Sequence, residues 1–202
     1  MSGYIGINLK EMIEQIGEVE TKAILSDFSC PLNPDVENFL KNKAIEFSKQ
    51  SISSTYLVLA SYQKKYVVVG YFTLSNKFIC IDKSAFPSKR LRSRIAKFAQ
   101  FDSTTKRYTL SAPLIGQIGK NYANSYNTLI SGDELLKLAL DKVHEMQIIV
   151  GGKVVYLECE DKPRLLEFYS QNGFVNFGKR TLDRDETDLS GDYLVQMLKY
   201  MN

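Results

Sequence analysis

The amino-acid sequence predicts a mixed α/β fold, and three features of the chain carry that expectation. Two runs rich in β-branched and aromatic residues, Thr55 to Tyr62 and Tyr66 to Ser75, flank Gln63-Lys64-Lys65 and read as an antiparallel hairpin. A long helix begins at Ser131 and runs to about Ile149, with Leu135, Leu138, Ala139 and Val143 on one face. From Arg107 onward the order is strand, helix, strand, helix, strand, and a strand–helix–strand unit within one sheet requires locally parallel pairing.

The remaining elements follow in chain order. Asn8 precedes Leu9, Met12, Ile13 and Ile16, whose i, i+3, i+4, i+7 spacing predicts an opening helix. Pro31 and Pro34 punctuate the chain, and Asp35 stands where it would cap a second helix with Val36, Phe39, Leu40, Ala44 and Phe47 inward. Phe78 to Ile81 extends the meander that starts with the hairpin. Pro87-Ser88 then opens a basic helix, an insertion over 87–100 with Leu91, Ile95 and Phe98 as its apolar stripe. The strand Arg107 to Ile118 contains Pro113, which removes a ladder donor and so must sit where that loss is tolerated. A turn-rich stretch, Asn121 to Asn127, leads to the long helix, where Ser131 and Glu134 form a capping-box pattern and Gly151-Gly152 makes the stop. Val154 to Cys159 is a short buried strand, Pro163 to Gln171 a helix ended by Asn172-Gly173, and Phe174 to Phe177 and Tyr193 to Leu198 are closing strands.

No repeat, low-complexity tract or Pro/Gly-rich linker divides the 202 residues, so one domain is expected over 1–202, with 1–25 as an N-terminal helical extension. A hydrophobic content of 44% supports a full core. No run approaches the roughly 18 consecutive apolar residues of a membrane span. Met1-Ser2-Gly3-Tyr4 lacks the basic-then-apolar layout of a secretory signal, and a cytoplasmic location is expected. Cys30, Cys80 and Cys159 are odd in number and far apart, which excludes a disulfide framework or a CxxC metal site and reads as packing residues. A single histidine excludes a histidine-rich metal cage, so no metal is expected. The net charge of +3 is mild, but Lys89, Arg90, Arg92, Arg94 and Lys97 are clustered. Such a cluster is either the solvated face of a surface helix or a contact for phosphates.

Three places could carry chemistry. The loop Asn124 to Gly132 feeds a helix whose first turn leaves backbone N–H groups unpaired, a natural anion seat, although Asp133 and Glu134 would repel a phosphate there. Tyr169, on a helix running into Gly173-Phe174, could offer its phenol to a leaving group; it could equally be one more tyrosine packed on the sheet. Glu158 and Glu160 flank Cys159, and strand alternation turns both carboxylates to one face, where either could take a proton or hold a salt bridge.

The run Val154 to Phe174, VVYLECEDKPRLLEFYSQNGF, resembles the strand–helix–turn of the GNAT superfamily of N-acetyltransferases, whose helix ends in a Tyr-x-x-x-Gly-Phe pattern, here Tyr169 to Phe174. The resemblance implies a GNAT-like domain: a central mixed sheet with antiparallel N-terminal strands and a splayed parallel pair, and helices on both faces. It implies acetyl-CoA as co-substrate and Tyr169 as the acid that protonates the departing thiolate. Pro113 to Asn121 is similar to the splayed strand whose main chain binds the pantetheine arm, which nominates Ile118, Gly119 and Lys120. Ser131 to Leu136 is similar to the start of the pyrophosphate helix. Asn127, Ile130, Ser131, Gly132 and Asp133 are therefore cofactor-binding candidates. In that loop Gly132 matches the family pattern, while Asn127 stands where a longer polar side chain is usual and Ile130 where a glycine is usual. Phe28-Ser29-Cys30, Asn38-Phe39-Leu40, Thr55 to Val58 and Val69 to Ser75 follow one another as in the GNAT toxins of toxin–antitoxin pairs, and Ile115 to Ile118 resembles their Leu-Gly-Arg-Leu strand with Gln117 in place of arginine.

The leading expectation is direct transfer of acetyl from acetyl-CoA to a primary amine, borne by a small molecule, a peptide or an aminoacyl-tRNA. Glu158 and Glu160 are its substrate or proton-relay candidates. The alternatives are a toxin-like acetyltransferase acting on aminoacyl-tRNA, with an antitoxin partner and the basic helix against phosphates, and a non-catalytic module that kept the fold. A homodimer is compatible with each.

Overall fold

In the computed structural model, residues 3–183 and 191–201 are described; Met1 and Ser2 lie outside them. The chain opens with strand β1 (Tyr4–Asn8) and helix α1 (Leu9–Ile16), capped as expected by Asn8, whose side chain accepts the Lys10 N–H. Helix α2 (Glu18–Ser26) follows. Helix α3 (Pro34–Asn38) starts from Asn33, not Asp35: the Asn33 side chain accepts the Val36 N–H and Pro34 takes the first turn, where its missing N–H costs nothing. A π-helical turn (Phe39–Lys43) joins α3 to α4 (Ala44–Lys49).

Strands β2 (Ser54–Tyr62) and β3 (Lys65–Asp82) form the expected hairpin, with Gln63 and Lys64 at positive φ in its turn. The segment from Phe78 to Ile81 is thus the end of one long strand. Helix α5 (Lys89–Ile95) is capped by Ser88, and Phe98 lies beyond its end, 43% exposed. A short strand β4 (Gln100–Asp102) precedes β5 (Arg107–Lys120). A 3-10 segment (Ala123–Thr128) leads to α6 (Gly132–Val150), then β6 (Val154–Cys159), α7 (Pro163–Gln171), β7 (Val175–Thr181) and β8 (Tyr193–Tyr200). Among the described residues no helix is long and apolar enough to cross a membrane.

Two compact units emerge: Met1–Ser75 with Gly116–Asp141, and Asn76–Ile115 with Lys142–Asn202. In the first, strands run β1-β2-β3-β5 in hydrogen-bonded order, with β1 antiparallel to β2 and β2 antiparallel to β3. Its core joins Leu9, Leu25, Phe28, Val36, Phe39 and Leu40 of the helical region to Leu57 and Tyr71 of the hairpin. Each such burial contributes about 1.5–3 kcal/mol. The Tyr71 hydroxyl, buried with them, donates to the Val36 carbonyl at 2.6 Å, which satisfies its polar tip.

In the second unit the order is β3-β5-β6-β8-β7, with β4 on β5. β5 and β6 are parallel, as the strand–helix–strand order requires, while β6–β8 and β7–β8 are antiparallel. The parallel register covers Leu114↔Tyr156 and Ile115↔Leu157 and ends there. Ile79, Ile81, Leu110, Val154, Tyr156 and Phe177 form the core, closed by Ile95 of α5.

Cys30 and Cys159 are buried, but Cys80 is exposed, its sulfur 3.4 Å from the Thr109 hydroxyl, so packing accounts for two of the three cysteines.

Candidate active site

In the first unit the end of β5 is pinned on several sides. The Gln117 N–H donates to the Thr73 hydroxyl at 2.8 Å, and the Gln117 side chain donates to Asp35 at 2.8 Å. Gly119 lies so close to α3 that a Cβ there would sit 2.5 Å from Val36 Cγ1. A Cβ at Gly70 would lie 2.9 Å from the Gly119 carbonyl oxygen. Asn121, 3% exposed, is an anchor that sequence reasoning passed over. Its side chain accepts from the Ser29 and Ala123 N–H groups and donates to the Val68 carbonyl, and its own N–H donates to the Val69 carbonyl. The only signal for it was its place at the start of a turn-rich stretch.

Past Asn121 the 3-10 segment bends at Asn124 (φ 50°) and Ser125 (φ 61°). Lys120 donates to the Asn127 carbonyl at 3.0 Å, bringing an ammonium group to the loop before α6. Ile130 is 2% exposed, so its side chain packs inward. Ser131 and Glu134 form the full capping box: the Ser131 N–H and hydroxyl both meet the Glu134 carboxylate at 2.8 Å, and the Glu134 N–H donates to the Ser131 hydroxyl at 3.1 Å. These bonds hold the Glu134 carboxyl below its ordinary pKa. The Tyr4 hydroxyl donates to the Leu129 carbonyl at 2.9 Å, tying β1 to the same loop. The first turn of α6 thus already carries one carboxylate, that of Glu134.

In the second unit Tyr169 is buried near the end of α7. Its ring makes edge contacts with Phe168 at 5.1 Å and Phe174 at 5.8 Å. Gly173 takes a φ of 82° that closes the helix, and the Phe174 N–H returns to the Tyr169 carbonyl at 3.0 Å. Lys199 donates to the Asn172 carbonyl at 2.7 Å and fixes the turn from β8. Burial pushes the Tyr169 phenol well above its ordinary pKa, with the nearby Cys159 adding to the rise. Burial likewise pushes the Cys159 thiol up to about 11, which keeps it a thiol rather than a nucleophilic thiolate.

Glu158 and Glu160 hold different partners. Glu158 accepts from Arg180 Nε at 2.7 Å and Gln196 Nε2 at 2.8 Å, a row across β7, β6 and β8. Glu160, just past the end of β6, is ion-paired with Lys162 at 2.6 Å. The exposed His144 stands on α6. Among the described residues no group of three His, Cys, Asp or Glu side chains could hold a metal ion.

The mixed sheet, with β5 parallel to β6, and the helix closed by a Gly-Phe turn before an antiparallel strand are the mixed α/β arrangement that the sequence predicts. Solved structures agree. The toxin AtaT complexed with acetyl-methionyl-tRNAfMet is similar at a TM-score of 0.61 and 18% identity, covering 95% of this chain and 93% of that one. A tyrosine-to-phenylalanine mutant of KacT is similar at 0.61 and 15%, covering 96% and 94%. An AtaT mutant bound to the C-terminus of the antitoxin AtaR and acetyl-CoA is similar at 0.54 and 15%, covering 87% and 84%. At these identities the likeness is one of fold. No protein-family model and no curated protein matches the chain.

Proposed function

We propose that the chain is an acetyl-CoA-dependent N-acetyltransferase that acts, like the toxins it resembles in fold, on the α-amino group of an aminoacyl-tRNA. The observation that carries the reading is the placement of Tyr169: a buried phenol at the end of α7, packed against Phe168 and Phe174 and set on the Gly173-Phe174 turn. The sequence alone placed an unspecified primary amine first. The fold likeness to a toxin complexed with acetyl-methionyl-tRNAfMet, across 95% of this chain, favours the tRNA acceptor.

In this reading the pantetheine arm of acetyl-CoA lies along the main chain of Ile118, Gly119 and Lys120. The pyrophosphate meets the loop from Asn127 through Ile130, Ser131 and Gly132 to Asp133. The inward packing of Ile130 and the ammonium of Lys120 fit that use; the Glu134 carboxylate opposes it and weakens the anion seat. The ammonium of the acceptor loses a proton to Glu158 or Glu160, directly or through water. The free amine attacks the thioester carbonyl, whose developing oxyanion a backbone N–H stabilises. The tetrahedral adduct collapses, the C–S bond breaks, and Tyr169 gives its proton to the sulfur; the surplus proton on the new amide nitrogen returns to the Tyr169 phenolate, directly or through water. Holding both reactants together supplies much of the rate. An antitoxin partner belongs to the same reading.

The test is transfer of labelled acetyl from acetyl-CoA to a set of aminoacyl-tRNAs and to a panel of simple amines. Acetylated aminoacyl-tRNA is the expected product. Transfer to simple amines alone would return the acceptor to the broader reading, and acetyl-CoA binding with no transfer to any amine would make the chain a non-catalytic module.

A further inference from the structure

We propose that α5 and the aromatic rings beside it form a docking surface for RNA, with the phosphate backbone on Lys89, Arg90, Arg92 and Lys97 and unpaired bases on Phe98 and Phe101. The proposal rests on the aminoacyl-tRNA reading of the acceptor and names the surface that would hold the nucleic acid.

Charge is the first argument. Between Lys83 and Phe101 the chain carries six Lys and Arg residues, at 83, 89, 90, 92, 94 and 97, and no Asp or Glu. Among the described residues none of Lys89, Arg90, Arg92 and Lys97 takes part in a salt bridge; Lys89, Arg90 and Lys97 are exposed and Arg92 is half-buried. The bounding carboxylates are engaged locally, Asp82 by Ser84 and Asp102 by Thr104 and Thr105.

The placement of these charges is the second argument. Lys89 and Arg90 occupy the first turn of α5, where the helix dipole disfavours cations by about 0.3–1 kcal/mol each. Ser88 caps that end, so the cations do nothing for the helix itself. They are unfavourable in the isolated fold and become favourable when a polyanion lies against them.

The third argument is the company they keep. Ile95 is fully buried and Leu91 packs on the same core, so α5 is held by its apolar side and presents its charged side. Arg94 lies over the Tyr200 ring at 4.0 Å, and Phe98 and Phe101 are 43% and 44% exposed. Cations interleaved with exposed rings suit a phosphate backbone whose bases are free to stack. A lipid surface fits less well, because the apolar stripe that would enter it is already used in the core.

Anisotropy of a fluorescent deacylated tRNA, titrated with the full chain over a series of KCl concentrations, tests the surface. The variant Lys89→Gln/Arg90→Gln/Arg92→Gln/Lys97→Gln should bind at least about tenfold more weakly, and its log–log salt slope should fall by about 3. Its melting temperature should change little, because Lys89 and Arg90 oppose the dipole in the first turn while Arg92 favours it in the last. Phe98→Ala/Phe101→Ala should weaken binding with the slope unchanged. Lys10→Gln/Lys22→Gln/Lys43→Gln/Lys64→Gln, which removes equal charge from exposed sites in the first unit, should bind as wild type. Wild-type affinity in the α5 variant, or an equal loss in the control, overturns the proposal and leaves the aminoacyl-tRNA reading standing. Binding to phosphatidylserine vesicles but not to tRNA, lost in the α5 variant, overturns it in favour of a membrane. Acetylation of simple amines by a wild-type chain that binds no tRNA at any salt removes the reading itself.

Discussion

Burial of the Tyr169 phenol has a kinetic consequence that separates chemistry from packing. Its pKa is raised, so ionisation of Tyr169 puts no falling limb on the kcat profile below about pH 10. Tyr169→Phe removes the hydroxyl and leaves the rings of Phe168 and Phe174 in place. Turnover should fall by about a hundredfold or more, with the KM for acetyl-CoA and the melting temperature nearly unchanged. Steady-state kinetics at saturating acceptor check this, and unaltered kcat removes Tyr169 from the acid role. Gly119 makes a different demand. A methyl group there meets Val36 Cγ1, and Gly119→Ala should cost about 1–3 kcal/mol in chemical denaturation. Adding Val36→Ala should return part of that loss, since the offending atom goes with the valine side chain; two additive losses would mean the clash is relieved elsewhere.

At the scale of elements, patterns close in sequence were legible and pairings distant in sequence were not. The capping box at Ser131, the hairpin turn at Gln63 and Lys64 and the Gly173 stop each depend on residues a few positions apart, and each forms as read. β1 was missed because YIGIN is short and becomes a strand only by pairing with β2, some fifty positions on. α2 lacks a clear stripe, burying Thr21 and Leu25 alone, so periodicity did not reveal it. The π turn inserts one residue between Val36 and Ala44, which a helical spacing rule cannot anticipate. For the candidate site, Tyr169 and the α6 loop were legible as motifs, whereas Asn121 and the Arg180–Glu158–Gln196 row depend on tertiary contact. The capping box itself yields a test. Glu134→Gln keeps a capping-box side chain but removes the charge that opposes a pyrophosphate. Acetyl-CoA should bind several-fold tighter by calorimetry, with helix stability nearly retained; unchanged or weaker affinity would show that Glu134 does not oppose the pyrophosphate.

Across the whole molecule the titrating groups are arranged so that alkali, more than acid, works against the fold. Tyr71, Tyr156 and Tyr169 are all buried and all have raised pKa values, and burial raises the Cys30 and Cys159 thiols as well. Each binds its proton more tightly folded than unfolded. Their stabilising contribution is therefore complete below the unfolded pKa, near 8.5 for cysteine and about 10 for tyrosine, and is lost as pH climbs toward the folded value. For Cys159 that window runs from the unfolded value up to about 11. The opposite group, Glu37, Asp82, Asp102, Glu134 and Asp161, has lowered pKa values from local hydrogen bonds; all but the half-buried Glu37 are exposed, where solvent screens most of the gain. The urea midpoint should hold nearly level through the neutral range and fall progressively above about pH 9. Tyr71→Phe should flatten part of that fall, although losing the bond to the Val36 carbonyl lowers the midpoint throughout. A midpoint constant between about pH 8 and 11 would mean that these phenols and thiols ionise in place without unfolding, and the burial argument for the Tyr169 proton would fail with it.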